Sequence, residues 1–274
     1  MSAPFCVFYI KKCGKVDGIS RFMCIFATIY KTLIMDYEEL NYNVLTREQQ
    51  LANSLAFPTL MRKVYLWMTL ALVITGFAAY FVATSPALIA AVYSSQVVLI
   101  GLIVAELALV IGLSAAINKL SLTTATLMFV LYSLINGVTL SSIFLVYTMS
   151  SIVSVFFITA ATFGAMAAYG YFTKKDLTSW GRILFMALIG IIIASVVNIF
   201  MHSSALNMIV SYAGVLIFVG LTAYDSQKIK EMLLMAPDAS EGMQKIALLG
   251  ALTLYLDFIN LFLHLLRILG SSKD

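Results

Sequence analysis

From about residue 64 to the end, the chain alternates long apolar runs with short polar breaks. Seven runs, at about 64–82, 97–117, 124–147, 152–172, 183–201, 207–226 and 246–268, approach or exceed the roughly 20 apolar residues that a membrane-crossing helix needs. The breaks carry ordinary helix breakers: Ser85-Pro86, Ser121, Ser150-Ser151, Thr178-Ser179, Ser203-Ser204 and Pro237. No soluble domain of any size is inserted between them. The last run contains Leu252–Leu269, and within it Asp257, Asn260 and His264 are spaced i, i+3, i+7. On a helix those three share one stripe. A charge at the bilayer centre costs about 2.5–3.5 kcal/mol on insertion scales, so this helix is expected inside a bundle, its stripe turned to other helices or to water.

Composition agrees. Of the 274 residues, 62% are hydrophobic and 11% charged, against about 45–50% and 25% in soluble domains. The expected fold class is therefore an all-α polytopic membrane protein with seven transmembrane helices. It divides into an extension (1–34), a cytoplasmic N-terminal segment (35–60), the transmembrane domain (61–270) and a short tail (271–274). The formal net charge of +4 resides wholly in 1–34, where Lys11, Lys12, Lys15, Arg21 and Lys31 face Asp17 alone. Nucleic-acid binding has no support. Cys6, Cys13 and Cys24 also fall in that segment, in no zinc-binding spacing. Residues 1–34 complete no signal-peptide plan. They read either as an upstream extension before a start at Met35 or as an interfacial helix around Ile19–Ile34.

Charge placement predicts orientation. Arg47, Arg62 and Lys63 precede the first run, Lys119 follows the second, and Lys174, Lys175 and Arg182 flank the fourth-to-fifth link. Lys228, Lys230 and Lys245 lie between the sixth and seventh. The alternate loops near 84–96, 147–151 and 202–207 contain no Lys or Arg. Positive charge inside then places the N-terminus in the cytoplasm. Arg267 and Lys273 alone run against the pattern.

Few ionisable residues remain at depth: Glu106 in the second run, Asp225 near the end of the sixth, Asp257 and His264 in the seventh. Such residues mark functional sites by default, and each also has a plainer reading. Asp225 fits a solvated helix-end carboxylate, Asp257 a hydrogen-bonded core carboxyl, Glu106 a buried acid bonded to Ser or Asn, and His264 a packed histidine. Asn136 and Asn198 read as interhelical hydrogen-bond residues, and Gly164 with Ala168 as a close-packing face. If Asp225 and Asp257 meet, they cannot both ionise freely and titrate as one coupled, proton-sensitive unit. Their oxygens also suit Ca²⁺, but too few are fixed for a tight cage of about 6–8 ligands. A low-affinity pathway fits better than a pump.

The run GLTAYDSQKI, followed by LYLDFINLFLHLLRILG, resembles the Bax inhibitor-1 (TMBIM) family, bacterial members above all. The resemblance covers about 55–270. It implies a seven-helix fold whose last helix is central, surrounded by the other six, and a pH-sensitive Ca²⁺ leak gated by two aspartates, here Asp225 and Asp257. Glu106 corresponds to an acidic residue toward the pore, and Asn260 and His264 would continue that cation path. Some relatives place an arginine at the cytoplasmic end of the second helix to latch the first aspartate. Here the stretch reads Ala116-Ile117-Asn118-Lys119, so only Lys119 could substitute. The resemblance further implies a multi-pass protein of the bacterial inner membrane, with Ca²⁺, H⁺ and the lipid bilayer as partners and no cofactor.

Two rival functions share some of these features. An intramembrane aspartyl protease also needs two membrane carboxylates, and Tyr224-Asp225 fits half of its signature. The other half should read Gly-x-Gly-Asp, where this chain has Leu254-Tyr255-Leu256-Asp257. No Walker motif, dinucleotide fingerprint, HExxH or Ser/His/Asp arrangement is present, so no enzymatic activity is expected. The other rival is a membrane-embedded regulator of an ATP-dependent membrane protease, or of stress and cell-death responses, without ion conduction.

Overall fold

Hydropathy fixes where a helix can cross a bilayer, whereas hydrogen bonds and caps fix where it ends. The computed structural model describes residues 47–235 and 238–273, with side chains from Ala56 onward. The readings of 1–34 and of the segment up to residue 46 lie outside the described residues. Nine helices are described: α1 (Arg47–Thr84), α2 (Pro86–Tyr93), α3 (Gln96–Ala116), α4 (Leu122–Leu140), α5 (Ile143–Val146), α6 (Met149–Phe172), α7 (Thr178–Met201), α8 (Ser204–Leu234) and α9 (Glu241–Leu269). Seven stretches are long and apolar enough to cross a membrane, α4 and α5 together forming one of them.

Two of the breakers read from sequence, Ser121 and Ser203, act as helix N-caps, and Thr148, just before the Ser150-Ser151 pair, does the same. The side-chain oxygens of Ser121, Thr148 and Ser203 accept hydrogen bonds from the backbone N–H groups of Thr124, Ser151 and Leu206, satisfying amides that lack an intrahelical partner. The expected 124–147 run is interrupted. The Ser141 and Ser142 hydroxyls donate to the carbonyls of Val138 and Thr139, so α4 stops at Leu140 and the short α5 follows. Three helices run well beyond their apolar cores: α1 begins at Arg47, α8 continues to Leu234 and α9 starts at Glu241. Ala56, Leu60 and Val64 of α1 are buried, as are Ile229 and Leu233 of α8. Their four-residue spacing puts each set on one helix face, which seats these extensions on the bundle.

The helices run alternately up and down, so the bundle has two chemically distinct ends. Lys63, Lys119, Lys174, Lys175, Lys228, Lys230 and Lys245 gather at one, called here the basic end. The turns preceding α2, α3, α6 and α8 lie at the other, the far end. Helix α9 occupies the centre: 94% of its most apolar stretch is buried, against 11–56% for the other six. Its principal neighbours are α8, α1, α6 and α4, while α3 packs on α4 and α7 on α8. The ring around the central helix is thus mainly four helices, with α3 and α7 outside it. Large apolar side chains such as Phe77, Phe157 and Leu216 point outward, as a bilayer-facing surface requires.

Gly164 and Ala168 do not form the packing face expected of them. Both are exposed, and Gly164 has nothing near its Cβ position. The inward face of α6 is Phe163, Ala167 and Gly170. This stretch of α6 is small-residue-rich on more than one side, so spacing alone does not select the buried one.

Candidate functional site

Two glycines set the register between α8 and α9. A Cβ on Gly214 of α8 would run into the His264 ring of α9, and one on Gly250 of α9 would meet Ile229 of α8. Asp225 lies eleven residues from Gly214 and four from Ile229, close to whole turns of a 3.6-residue helix, so it shares their stripe toward α9. Asp257 lies seven residues from both Gly250 and His264, so it shares theirs toward α8. With the helices antiparallel, the register sets Asp225 level with residues 253–254 of α9. Asp257 is then about one turn, ~5 Å, further toward the far end. The fold places both carboxyls on the facing stripes of its two most closely packed helices.

Both are buried, Asp225 to 2% and Asp257 to 0% relative exposure. The plain reading of Asp225 as a solvated helix-end carboxylate is therefore corrected. Helix α8 continues nine residues past it, and the residues that follow tie that turn down. The Ser226 hydroxyl donates to the Ala167 carbonyl at 2.8 Å and lies 3.3 Å from the Tyr65 hydroxyl. Gln227 accepts from the Leu177 amide at 2.9 Å and donates to the Lys175 carbonyl at 2.8 Å. Lys230 donates to the Tyr171 carbonyl at 2.7 Å. These bonds fasten the basic end of α8 to α6, to the α6–α7 turn and to α1, closing the approach to Asp225 from that side. Lys119 is exposed in the α3–α4 turn, and its contribution as a latch to the buried Asp225 finds no support in this geometry.

A second polar cluster lies across α9. Tyr255 precedes Asp257 by two residues, about 200° around the helix, and so faces away from α8. Its hydroxyl donates to Asn136 Oδ1 of α4 at 3.0 Å and lies 2.7 Å from Thr75 Oγ1 of α1; the Thr75 hydroxyl is also 2.9 Å from the Ser133 carbonyl. Glu106 of α3, 6% exposed, accepts from the Thr139 hydroxyl at 2.6 Å. Asn136 therefore makes the interhelical bond expected of it, and Glu106 is a buried acid held by Thr139. Asn198 also bonds as expected, donating to Asn207 Oδ1 at 2.7 Å and accepting from the Ser203 amide at 3.0 Å. This braces the α7–α8 turn, where His202 adopts a left-handed backbone at φ 52°.

Asn260 and His264, at 0% and 1% exposure, continue the Asp257 stripe toward the far end. Glu106 does not join them: it belongs to the cluster on the opposite flank, so a single path lined by Glu106, Asn260 and His264 does not fit this arrangement. Thr75, Tyr255, Ser226 and Gln227 were not singled out from sequence. Each is a common polar residue in an apolar context, and its role comes from partners 50 or more positions away. Among the described residues, no group of three or more His, Cys, Asp or Glu is assembled that could hold a metal ion.

The chain matches the family model described as inhibitor of apoptosis-promoting Bax1 over residues 58–274. It is 55% identical over 217 residues to the inner membrane protein YbhL of Escherichia coli K12, spanning 78% of this chain and 92% of the relative. An uncharacterized protein of Borreliella burgdorferi is 48% identical over 214 residues, 78% of this chain and 92% of its own length. Another, RP147 of Rickettsia prowazekii, is 42% identical over 214 residues, at 78% and 90% coverage.

Proposed function

Because the chain belongs to the Bax inhibitor-1 family of membrane proteins, we propose that it is a pH-sensitive Ca²⁺ leak pathway gated by Asp225 and Asp257. The observation that carries this reading is the placement of two buried carboxyls on the facing stripes of α8 and α9, one turn apart in level. The reading requires these two carboxyls, held out of water on facing helices, to act as one proton-sensitive unit. Changing the proton count changes the charge held between the helices, which biases any equilibrium between closed and separated arrangements of α8 and α9. Oxygen ligands suit Ca²⁺, and two carboxylates fall well short of the about 6–8 that retain it tightly. Passage is favoured over storage. The distribution of Lys and Arg supports a cytoplasmic basic end and N-terminus, and the name of the Escherichia coli relative supports the bacterial inner membrane as the location.

Ca²⁺ flux through proteoliposomes, followed across a pH series, tests the proposal. Asp225→Asn and Asp257→Asn are each expected to flatten the pH dependence, and the double variant to add little beyond either, as for residues acting as one unit. Wild-type profiles in both single variants, fully additive effects, or no flux through the wild-type protein would overturn it.

A further inference from the structure

Beyond Asp257, the α9 stripe continues to Asn260, His264 and Arg267. Asn260 Nδ2 donates to the Leu256 carbonyl at 2.8 Å, but its Oδ1 has no hydrogen-bond partner, and neither ring nitrogen of His264 has one. The imidazole stacks on Phe218 of α8, with ring centroids 5.7 Å apart at 28°. It reaches that position only because residue 214 is glycine. A neutral imidazole presents one N–H donor and one bare nitrogen acceptor, and the amide oxygen is a second acceptor. Leaving all three dry is costly. Asn260 and His264 are four residues apart and therefore adjacent on the helix surface, close enough for internal water, which both donates and accepts, to bridge them.

The surroundings single out the histidine. Residues 64–84 of α1, and all of α2, α4, α5 and α6, contain no Asp, Glu, Lys, Arg or His. Helix α8 contributes Ser211, Gly214 and Phe218 at this level, its one acid at depth being Asp225. The nearest charges are Asp257 two turns toward the basic end and Arg267 one turn toward the far end, where Nη1 lies 3.4 Å from Ser211 Oγ. Glu106 sits across α9 with Thr139, and α7 carries only Arg182, at its basic end. Among the described residues, His264 is thus the single imidazole or carboxyl on the Asp257 stripe of α9 between Asp257 and the far end.

We propose that His264 and Asn260 form a water- and proton-binding site that connects the aspartates to the far face, with His264 as the relay. The inference rests on the reading of Asp225 and Asp257 as the gate. A proton arriving from the far side binds the bare ring nitrogen. The imidazolium then releases the proton on its other nitrogen to water held at Asn260, and that water delivers one to the Asp257 carboxylate. Exchange of the ring tautomer restores the starting state. No bond other than N–H and O–H changes, and the proton count balances. On this view the gate senses the pH of the far side.

Infrared difference spectroscopy of oriented proteoliposomes tests this without relying on flux. A pH jump applied from the far side should raise a protonated-carboxyl band that is absent in Asp225→Asn/Asp257→Asn. His264→Phe keeps an aromatic ring on Phe218, and His264→Gln keeps a hydrogen-bonding side chain without a titrating one. Both are expected to melt near the wild-type temperature and to slow the band by at least about a hundredfold, the lower end of what a positioned proton-transfer group supplies. A wild-type rate in both variants overturns the relay alone. Slowing in His264→Phe but not in His264→Gln also overturns it, leaving only a hydration site. Absence of any aspartate-dependent band overturns the gate reading and this inference together.

Discussion

Glu106 and Asp257 show how little a residue's type says about its role once the helix faces are known. Both are acids at bilayer depth, and both are buried. Asp257 sits on the stripe that faces Asp225, whereas Glu106 lies behind α9, bonded to Thr139 and grouped with Asn136, Tyr255 and Thr75. An amide oxygen can accept the Thr139 hydroxyl as a carboxyl oxygen does, so Glu106→Gln should fold normally. We expect it to keep the wild-type pH profile of Ca²⁺ flux, with less than about a twofold change in rate, since 1.4 kcal/mol would be needed for tenfold. Flux measured beside the melting temperature checks this. A large loss of flux at unchanged stability would return Glu106 to the cation path.

At the level of helices, the facing stripes depend on close backbone approach. Gly170 of α6 is pressed against the Ala223 carbonyl of α8, where an added Cβ would collide with backbone. Backbone cannot yield as a side-chain tip can, so Gly170→Ala should destabilise the protein by about 1–3 kcal/mol, the usual cost of overpacking. Gly164→Ala, six residues away on the outer face, should be neutral or slightly stabilising by the helix propensity of alanine. Thermal denaturation in detergent distinguishes the two. The same pair shows what was legible beforehand. Seven spans, the buried last helix and the shared stripe of Asp257, Asn260 and His264 all follow from hydropathy and a 3.6-residue period. The choice between the Gly164 and Gly170 faces does not, because small residues occupy both. Nor does the burial of Asp225, which depends on Ser226, Gln227 and Lys230 finding carbonyls and amides on α6 and the α6–α7 turn. Lysines read only as orientation signals also do structural work: Lys230 and Lys245 donate to the Tyr171 and Leu120 carbonyls at or just beyond the C-terminal ends of α6 and α3, where a cation meets the negative end of a helix dipole.

For the whole molecule, the alternating helix directions turn a pattern along the chain into two faces in space. The lysines within the basic ends of α1, α8 and α9 and those following α3 and α6 converge on one end, and the turns without Lys or Arg converge on the other. The exceptions are both anchored at the far end: Arg267 approaches Ser211, and Lys273 donates to the Phe144 carbonyl at 2.8 Å. The tail there is further fixed by the Thr148 amide bonding the Ser271 carbonyl at 3.1 Å and the Lys273 amide bonding that of Val146 at 2.8 Å. Two positive charges held against their own bundle weigh less in orientation than the many at the basic end, so the basic end should face the cytoplasm. In a background with Cys6, Cys13 and Cys24 replaced by serine, Ser94→Cys and Ser204→Cys place thiols at exposed far-end positions. Ser203 is avoided because its hydroxyl caps α8. Both thiols should react with an impermeant maleimide added to intact cells. Ser179→Cys, exposed at the basic end, should react only after permeabilisation. The reverse labelling would invert the bundle, place the His264 relay on the cytoplasmic side and make the gate a sensor of cytoplasmic rather than external pH.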